Sequence, residues 1–282
     1  MTRFGPAGNC DRFAAAGHKS TVDIPAFIAG YGLNAYEYQC GRGVRLSDTT
    51  AEALRKNAEE YGIQLSLHAP YFISLASEDP QKRENSIRYI LDSADAVQRL
   101  GGTRIVVHPG GLGGRSREEA TAIACDTLRR AQQQLDEVGL SQVNICPETM
   151  GKIGQLGNFE EVLTMCAVDE RFLPTIDFGH LNSRTHGQMT TTADYAALLD
   201  RLADALGSDR AAHFHSHFSK IEYTEGGEKR HLTFEDAVYG PDPEPLMELI
   251  AKRGLSPTFI CESAGTQTED AATLQRLWMQ GA

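Results

Sequence analysis

The sequence predicts an α/β protein folded as a single-domain, closed (β/α)8 barrel, a TIM barrel, and three observations carry that expectation. Strand-like and helix-like patterns alternate along the whole of the 282 residues. The strand-like stretches are short apolar or β-branched runs, as parallel strands buried on both faces require. Six of those stretches also end in a potential metal ligand: IQLSLHAP (His68), RIVVHPGG (His108), VNICPET (Glu148), LPTIDFGH (Asp177 and His180), HFHSHFSK (His215 among three His) and TFICES (Glu262). In such a barrel the C-terminal ends of the strands converge on one mouth. Ligand-type side chains from six strands at one mouth point to a polynuclear metal site, and so to a metalloenzyme.

The elements follow in order. A strand near residues 3–5 precedes a helix around 23–29. A strand at 34–39 precedes a helix at 48–61, with Ser47 or Asp48 as its N-cap and Gly62 as its stop. Strand three is 63–67. The helix at 80–100 carries Ile87, Ile90, Leu91, Ala94 and Val97 at steps of three and four, and Gly101 ends it. Strand four (104–107) leads through a Gly-rich loop to a helix at 116–138. Strand five is 143–146, with a short helix at 159–166. Strand six is 173–176, with a helix at 192–206. Strand seven spans about 212–218 and strand eight 258–261, and helices at 244–253 and 269–279 complete the pattern. No short repeat and no low-complexity linker divides the chain, so one domain is expected over residues 1–282.

Composition narrows the class. Hydrophobic residues make up 41% and charged residues 23%, which leaves ample material for a core. No apolar run approaches the roughly 20 residues that span a bilayer, and MTRFGPAGNC lacks a signal-peptide apolar region. The Cys residues (10, 40, 125, 146, 166 and 261) are scattered without a CxxC pair. That argues against a disulfide framework and for a reduced, cytoplasmic setting. A formal net charge of −11 weighs against general nucleic-acid affinity. Divalent ions would cancel part of it at the site, and Arg42, Arg45, Lys152, Arg184 and Lys220 fall in expected rim segments. Arg42 and Lys220 are the candidate substrate cations.

Each ligand candidate has a plainer reading as a hydrogen-bonded structural residue, and the weight lies in their joint position. Glu148 after an apolar strand is costly burial unless a cation is present. His213, His215 and His217 alternate, so all three turn to one face. They cannot all be ligands at one depth, and His213 is expected to be a polar interior residue.

The segments LSLHAPYFISLAS, IVVHPG, ICPETMG, TIDFGH, HSHFSK, the later Arg230-His231 pair and ICES together resemble the endonuclease IV family of apurinic/apyrimidinic endonucleases. More broadly they resemble xylose-isomerase-like TIM barrels. The similarity runs in order over nearly the whole chain. It implies that Glu148 bridges two zinc ions, that His68 and His108 hold one, and that Asp177, His215 and Glu262 hold the other. His180 and His231 would serve a third ion, and Tyr71 would lie on a DNA-binding surface. One departure concerns the third ion. The Asp that the family pairs with its last His is Lys229 here, within GEKRH, and an ammonium does not ligate a metal. Glu228 could substitute if the loop shifts; otherwise Lys229 is expected to neutralise the leaving oxygen. Two zinc ions are expected and the third is left open, with Mn2+ or Fe2+ compatible with the same donors.

The implied activity is zinc-dependent hydrolysis of a phosphodiester, nicking damaged double-stranded DNA 5′ to an abasic site in base-excision repair, with Glu148, Glu262 and Lys229 as the catalytic groups. A sugar or sugar-phosphate isomerase or epimerase on the same barrel is the first alternative, with one divalent ion held by Glu148, Asp177, His215 and Glu262. A metal-binding protein without catalysis is the second.

Overall fold

The computed structural model describes residues 1–281. In chain order the strands are β1 (Arg3–Pro6), β2 (Ala35–Gln39), β3 (Gln64–His68), β4 (Arg104–Val107), β5 (Asn144–Pro147), β6 (Thr175–Asp177) and β7 (His215–Phe218). A hairpin of β8 (Ile221–Thr224) and β9 (Gly227–His231) follows, and β10 (Thr258–Cys261) is last. Two four-stranded sheets run β1-β10-β7-β6 and β2-β3-β4-β5, every pair parallel. Parallel bridges Ala7–Glu37 and Glu148–Thr175 join the two sheets at both seams, closing an eight-stranded barrel. The fold expected from the alternating pattern is therefore the fold observed.

The helices are α1 (Asp11–Ala15), α2 (Ile24–Ala29), α3 (Asp48–Tyr61), α4 (Pro80–Arg99), α5 (Arg117–Glu137), α6 (Phe159–Cys166), α7 (Phe178–Arg184), α8 (Thr192–Leu206), α9 (Ser208–Ala212), α10 (Glu244–Lys252) and α11 (Gln267–Gly281). Their ends have local causes. Ser47 Oγ accepts from the Thr50 amide to start α3, and Gly62 at φ +68° stops it. A reciprocal Ser116–Glu119 capping box starts α5. Along α4 the positions Ile87, Ile90, Ala94 and Val97 are buried, as their spacing predicts.

Alternation along the strands sorts the core into two layers. Phe214 and Phe218 flank β7 on its outer side and pack with Phe178 and Phe259, with ring centroids 6.2–6.4 Å apart. The intervening His215 and His217 therefore turn into the barrel. Glu37 on β2 and Ser66 on β3 share that interior.

Two boundaries move, and both matter to the site. Strand six is Thr175–Asp177 rather than 173–176, so Asp177 is its last residue and also caps α7 through the His180 amide. Strand seven begins at His215, because residues 208–212 form α9. His213 is consequently not interior: it ends α9 at the surface, with its Nδ1 on Asp209 O. All the cysteines are buried and free. Among the described residues, no helix is long and apolar enough to cross a membrane.

Candidate metal centre at the barrel mouth

Glu148, just past β5, is fully buried and is the hub of the mouth. Its Oε2 lies 3.0 Å from His108 Nε2 and 3.4 Å from His68 Nε2. Its Oε1 lies 3.2 Å from His217 Nδ1 and 3.3 Å from His180 Nδ1. His217 Nδ1 is also 3.5 Å from Glu262 Oε2, and His180 Nδ1 is 3.2 Å from Asp177 Oδ2. On the outer side, His180 Nε2 meets Glu228 Oε2 at 3.3 Å, and His231 Nε2 lies 3.9 Å from Glu228 Oε1. Five overlapping donor sets result, and three of them cover the mouth: His68–His108–Glu148, Glu148–Asp177–His217–Glu262, and His180–Glu228–His231; the others are His68–His217–Glu262 and, deeper, Glu37–His215–His217.

Do these sets fit ions? Two atoms bound tetrahedrally to one metal at about 2.0–2.2 Å lie roughly 3.3–3.6 Å apart, and the close contacts within these sets run from 3.0 to 3.9 Å. Two buried carboxylate oxygens, Glu148 Oε2 and Asp177 Oδ2, have no hydrogen-bond donor. A cation is what such orphaned acceptors lack. The imidazoles are also pre-oriented: His68 Nδ1 sits 2.8 Å from Ala69 O, and His231 Nδ1 sits 2.8 Å from Ser219 Oγ. A proton on each of those Nδ1 atoms leaves the Nε2 lone pair facing the cleft.

The electrostatics agree. Burial alone would raise the Glu148 carboxyl, yet His108 and His217 hold it well below the usual carboxylate range. Burial would lower His180, but Asp177, Glu148 and Glu228 raise it well above the ordinary imidazole value. Burial would likewise lower His217, which Glu262, Glu37 and Glu148 raise in the same way. In the metal-free chain, these imidazoles carry the positive charge that the carboxylates demand.

The centre opens into a cleft of about 440 Å3 lined among others by Gln39, Tyr71, Lys152, Gln155 and Gln267. The half-exposed Tyr71 ring stands 5.3 Å from both His68 and His108. Burial and the nearby Glu262 and Glu148 push its hydroxyl up to about 12, so it remains a donor.

The structure brings His68, His108, Glu148, Asp177, His180, His231 and Glu262 together, with Tyr71 beside them. Other expectations need correction. His217, not His215, is the β7 imidazole at the level of Asp177, to which it is directly paired. His215 lies one pleat deeper, with its Nε2 on Glu37 Oε2 at 2.8 Å. Lys229 turns away from the cleft and pairs with Glu222 at 2.5 Å, so it neither replaces a ligand nor faces a leaving group. Glu228 occupies the place the sequence left open. Lys220 is buried under another cavity, its Nζ donating to Asp236 O at 2.6 Å and lying 3.3 Å from Asp242. Arg42 borders a separate hollow with Gly41, Gly43 and Arg45. Arg184 is held by the carbonyls of Met150 and Lys152 and braces the mouth from behind.

The comparisons bear on this arrangement. Residues 25–280 match the family model described as xylose isomerase-like TIM barrel. An uncharacterised protein of Methanocaldococcus jannaschii is 31% identical over 263 residues, covering 93% of this chain and 92% of its own. A probable endonuclease 4 of Thermoplasma acidophilum is 27% identical over 224 residues, 75% of each chain. Among solved structures, endonuclease IV from Thermus thermophilus superposes with a TM-score of 0.67 at 22% identity, covering 99% of this chain and 98% of that one. A D-tagatose 3-epimerase-like protein superposes with a TM-score of 0.72 at 20% identity, covering 99% and 97%. At those identities the structural likeness speaks for the fold. With the family match spanning nearly its full length, the chain belongs to the xylose isomerase-like TIM barrel family.

Proposed function

We infer that this protein is a metal-dependent phosphodiester hydrolase of the endonuclease IV type, cleaving DNA 5′ to abasic sites. One observation carries the reading: of three donor sets at the mouth, two share the buried Glu148 and the third adjoins it through His180. A mononuclear site does not need both His68 and His108 as ligands. The probable endonuclease 4 relatives support the same activity.

In this reading His68, His108 and Glu148 hold one ion, and Glu148, Asp177, His217 and Glu262 hold a second. His180, Glu228 and His231 hold a third. Imidazole with carboxylate suits Zn2+ and also Mn2+ or Fe2+. Ions so held supply Lewis acidity toward a phosphoryl oxygen and a water acidified toward neutrality. The chain's own groups do the rest. Glu262, 15% exposed at the cleft edge, accepts a hydrogen bond from the attacking water and aligns it. Tyr71 donates its hydroxyl to a phosphate oxygen and offers its face to the sugar or a base. Lys152, which also lines the cleft, attracts the phosphate backbone.

A second reading has one observation of its own. Glu148, Asp177, His217 and Glu262 form a complete four-residue set without the other histidines, as a sugar epimerase on this barrel would use. Metal analysis of protein purified without chelator, with an abasic-site duplex assayed on the same sample, separates the two. Two or three zinc ions per chain, with cleavage lost on stripping and regained with zinc, is the expected result. One ion and no nicking would move the assignment to a sugar. The partly exposed donors at the cleft argue against a closed, purely structural site.

A further inference from the structure

Beneath the centre and behind His217 lies a second polar layer, whose other members the reading above does not use. Glu37, Ser66, His215 and His217 are all buried. A carboxylate in the middle of a barrel strand is costly unless its oxygens are fully engaged. Glu37 Oε1 accepts from His217 Nε2 at 2.9 Å and from Gln39 at 3.4 Å. Its Oε2 accepts from His215 Nε2 at 2.8 Å and from Ser66 Oγ at 2.9 Å. Glu37, His215 and His217 stand close enough to form a donor set of their own, but each Glu37 oxygen takes a different imidazole at 2.8–2.9 Å and Ser66 also donates to Oε2. The two imidazole contacts are charge-assisted hydrogen bonds rather than the walls of another metal cage.

We propose that Glu37 is a positioning residue of the metal centre, fixing His217 with its proton on Nε2 and its Nδ1 lone pair aimed at the ion shared with Glu148 and Glu262. This inference rests on the metal-centre reading. Its geometric basis is a contrast within the cluster. His68 and His231 have their Nδ1 atoms beside the neutral oxygens of Ala69 and Ser219, with Nε2 on the cleft side. His217 faces the centre with the opposite nitrogen, and its anchor is a carboxylate. Glu37, at 2.9 Å, is the shortest carboxylate contact of this ring and holds a proton on Nε2, while Glu148 at 3.2 Å and Glu262 at 3.5 Å face Nδ1. His215 is a built-in control. It shares Glu37, its Nδ1 has no partner, and it has no contact with Glu148 or Glu262.

The test compares zinc affinity by competition with a chromogenic chelator in the parent protein, Glu37→Gln and His215→Gln, at matched fold by circular dichroism. Loss of a carboxylate behind a ligating imidazole weakens metal binding about 10–100-fold. That loss is expected for one ion in Glu37→Gln, while His215→Gln stays within about threefold of the parent. Unchanged zinc affinity in Glu37→Gln would overturn the inference and leave the metal centre standing. Equal losses in both variants would also overturn it, by reducing the layer to packing. A parent protein that binds no divalent metal would instead remove the reading beneath it. Should Glu37→Gln not fold, the 15N imidazole spectrum of the unaltered zinc-loaded protein decides. His217 is expected to be metal-bound at Nδ1 and protonated at Nε2, and metal on Nε2 overturns the assignment.

Discussion

Glu148 keeps its charge in a fully buried position because imidazoles surround it, His68 and His108 beside Oε2 and His180 and His217 beside Oε1. Replacing it with Gln removes the shared charge while keeping the shape. Glu148→Gln is therefore expected to lose bound metal and about 10^3-fold in turnover. Full metal content in the folded variant would contradict the bridging role. The opposite outcome is expected for Lys229→Ala. Its ammonium lies on the far side of the hairpin against Glu222, more than half exposed. Turnover should stay within about twofold and stability within about 0.5 kcal/mol, by activity assay and thermal melting. The strand-end candidates were legible because a side chain ending a barrel strand must face the mouth. The choice between His215 and His217 was not. Both share a face, and their depth depends on where β7 starts, which α9 sets. Glu37 was hidden for another reason: between Tyr36 and Tyr38 it reads as the polar side of an alternating strand.

At the scale of elements, apolar runs and amphipathic periods revealed the barrel strands and the long helices, but not the β8–β9 hairpin. Its strands, IEYT and GEKRH, are mostly polar and carry no hydrophobic alternation. Yet the hairpin delivers two donors through an irregularity. In a regular strand, residues three apart face opposite ways, so Glu228 and His231 should diverge. The register shifts between Glu222 and Tyr223, leaving Lys229 without a residue opposite it on β8, and Glu228 and His231 both line the cleft. The lysine that departs from the family pattern is the bulge residue that completes the third set. Deleting Lys229 restores plain alternation and is expected to cost one metal equivalent by elemental analysis, with the barrel still folded. The hairpin docks where Gly227, at φ +88°, approaches so closely that a Cβ would lie 2.2 Å from Gly151 O. Gly227→Val should undock it, at about 1–3 kcal/mol in thermal or denaturant unfolding and with the same lost equivalent. Retention of all ions in both variants would remove β9 from the centre.

Across the whole molecule, closing the barrel forces strand-end carboxylates together, and the chain as a whole already carries a net charge of −11. Without ions, protons on imidazoles must neutralise the mouth. His180 and His217 accordingly hold their protons well above the ordinary value of 6.5, although burial opposes it. In the unfolded chain both return to ordinary values, so their contribution to stability is complete below about pH 6.5. It is lost as the pH rises through the elevated folded values. His108 and His215 act in the opposite sense: burial lowers both, so their contribution is complete above 6.5 and is lost as the pH falls below it. The metal-free protein should therefore melt at progressively lower temperature as the pH rises from about 6.5 into the alkaline range. Zinc replaces those protons, and a ligated imidazole has none to lose. Between about pH 6.5 and 8.5, below the range where the buried cysteines titrate, melting of stripped and zinc-reloaded protein should show the decline in the first and not in the second. An identical decline in both over that window would mean that the imidazoles still carry protons when zinc is present, and that the mouth is a proton-balanced polar cluster instead of a metal centre.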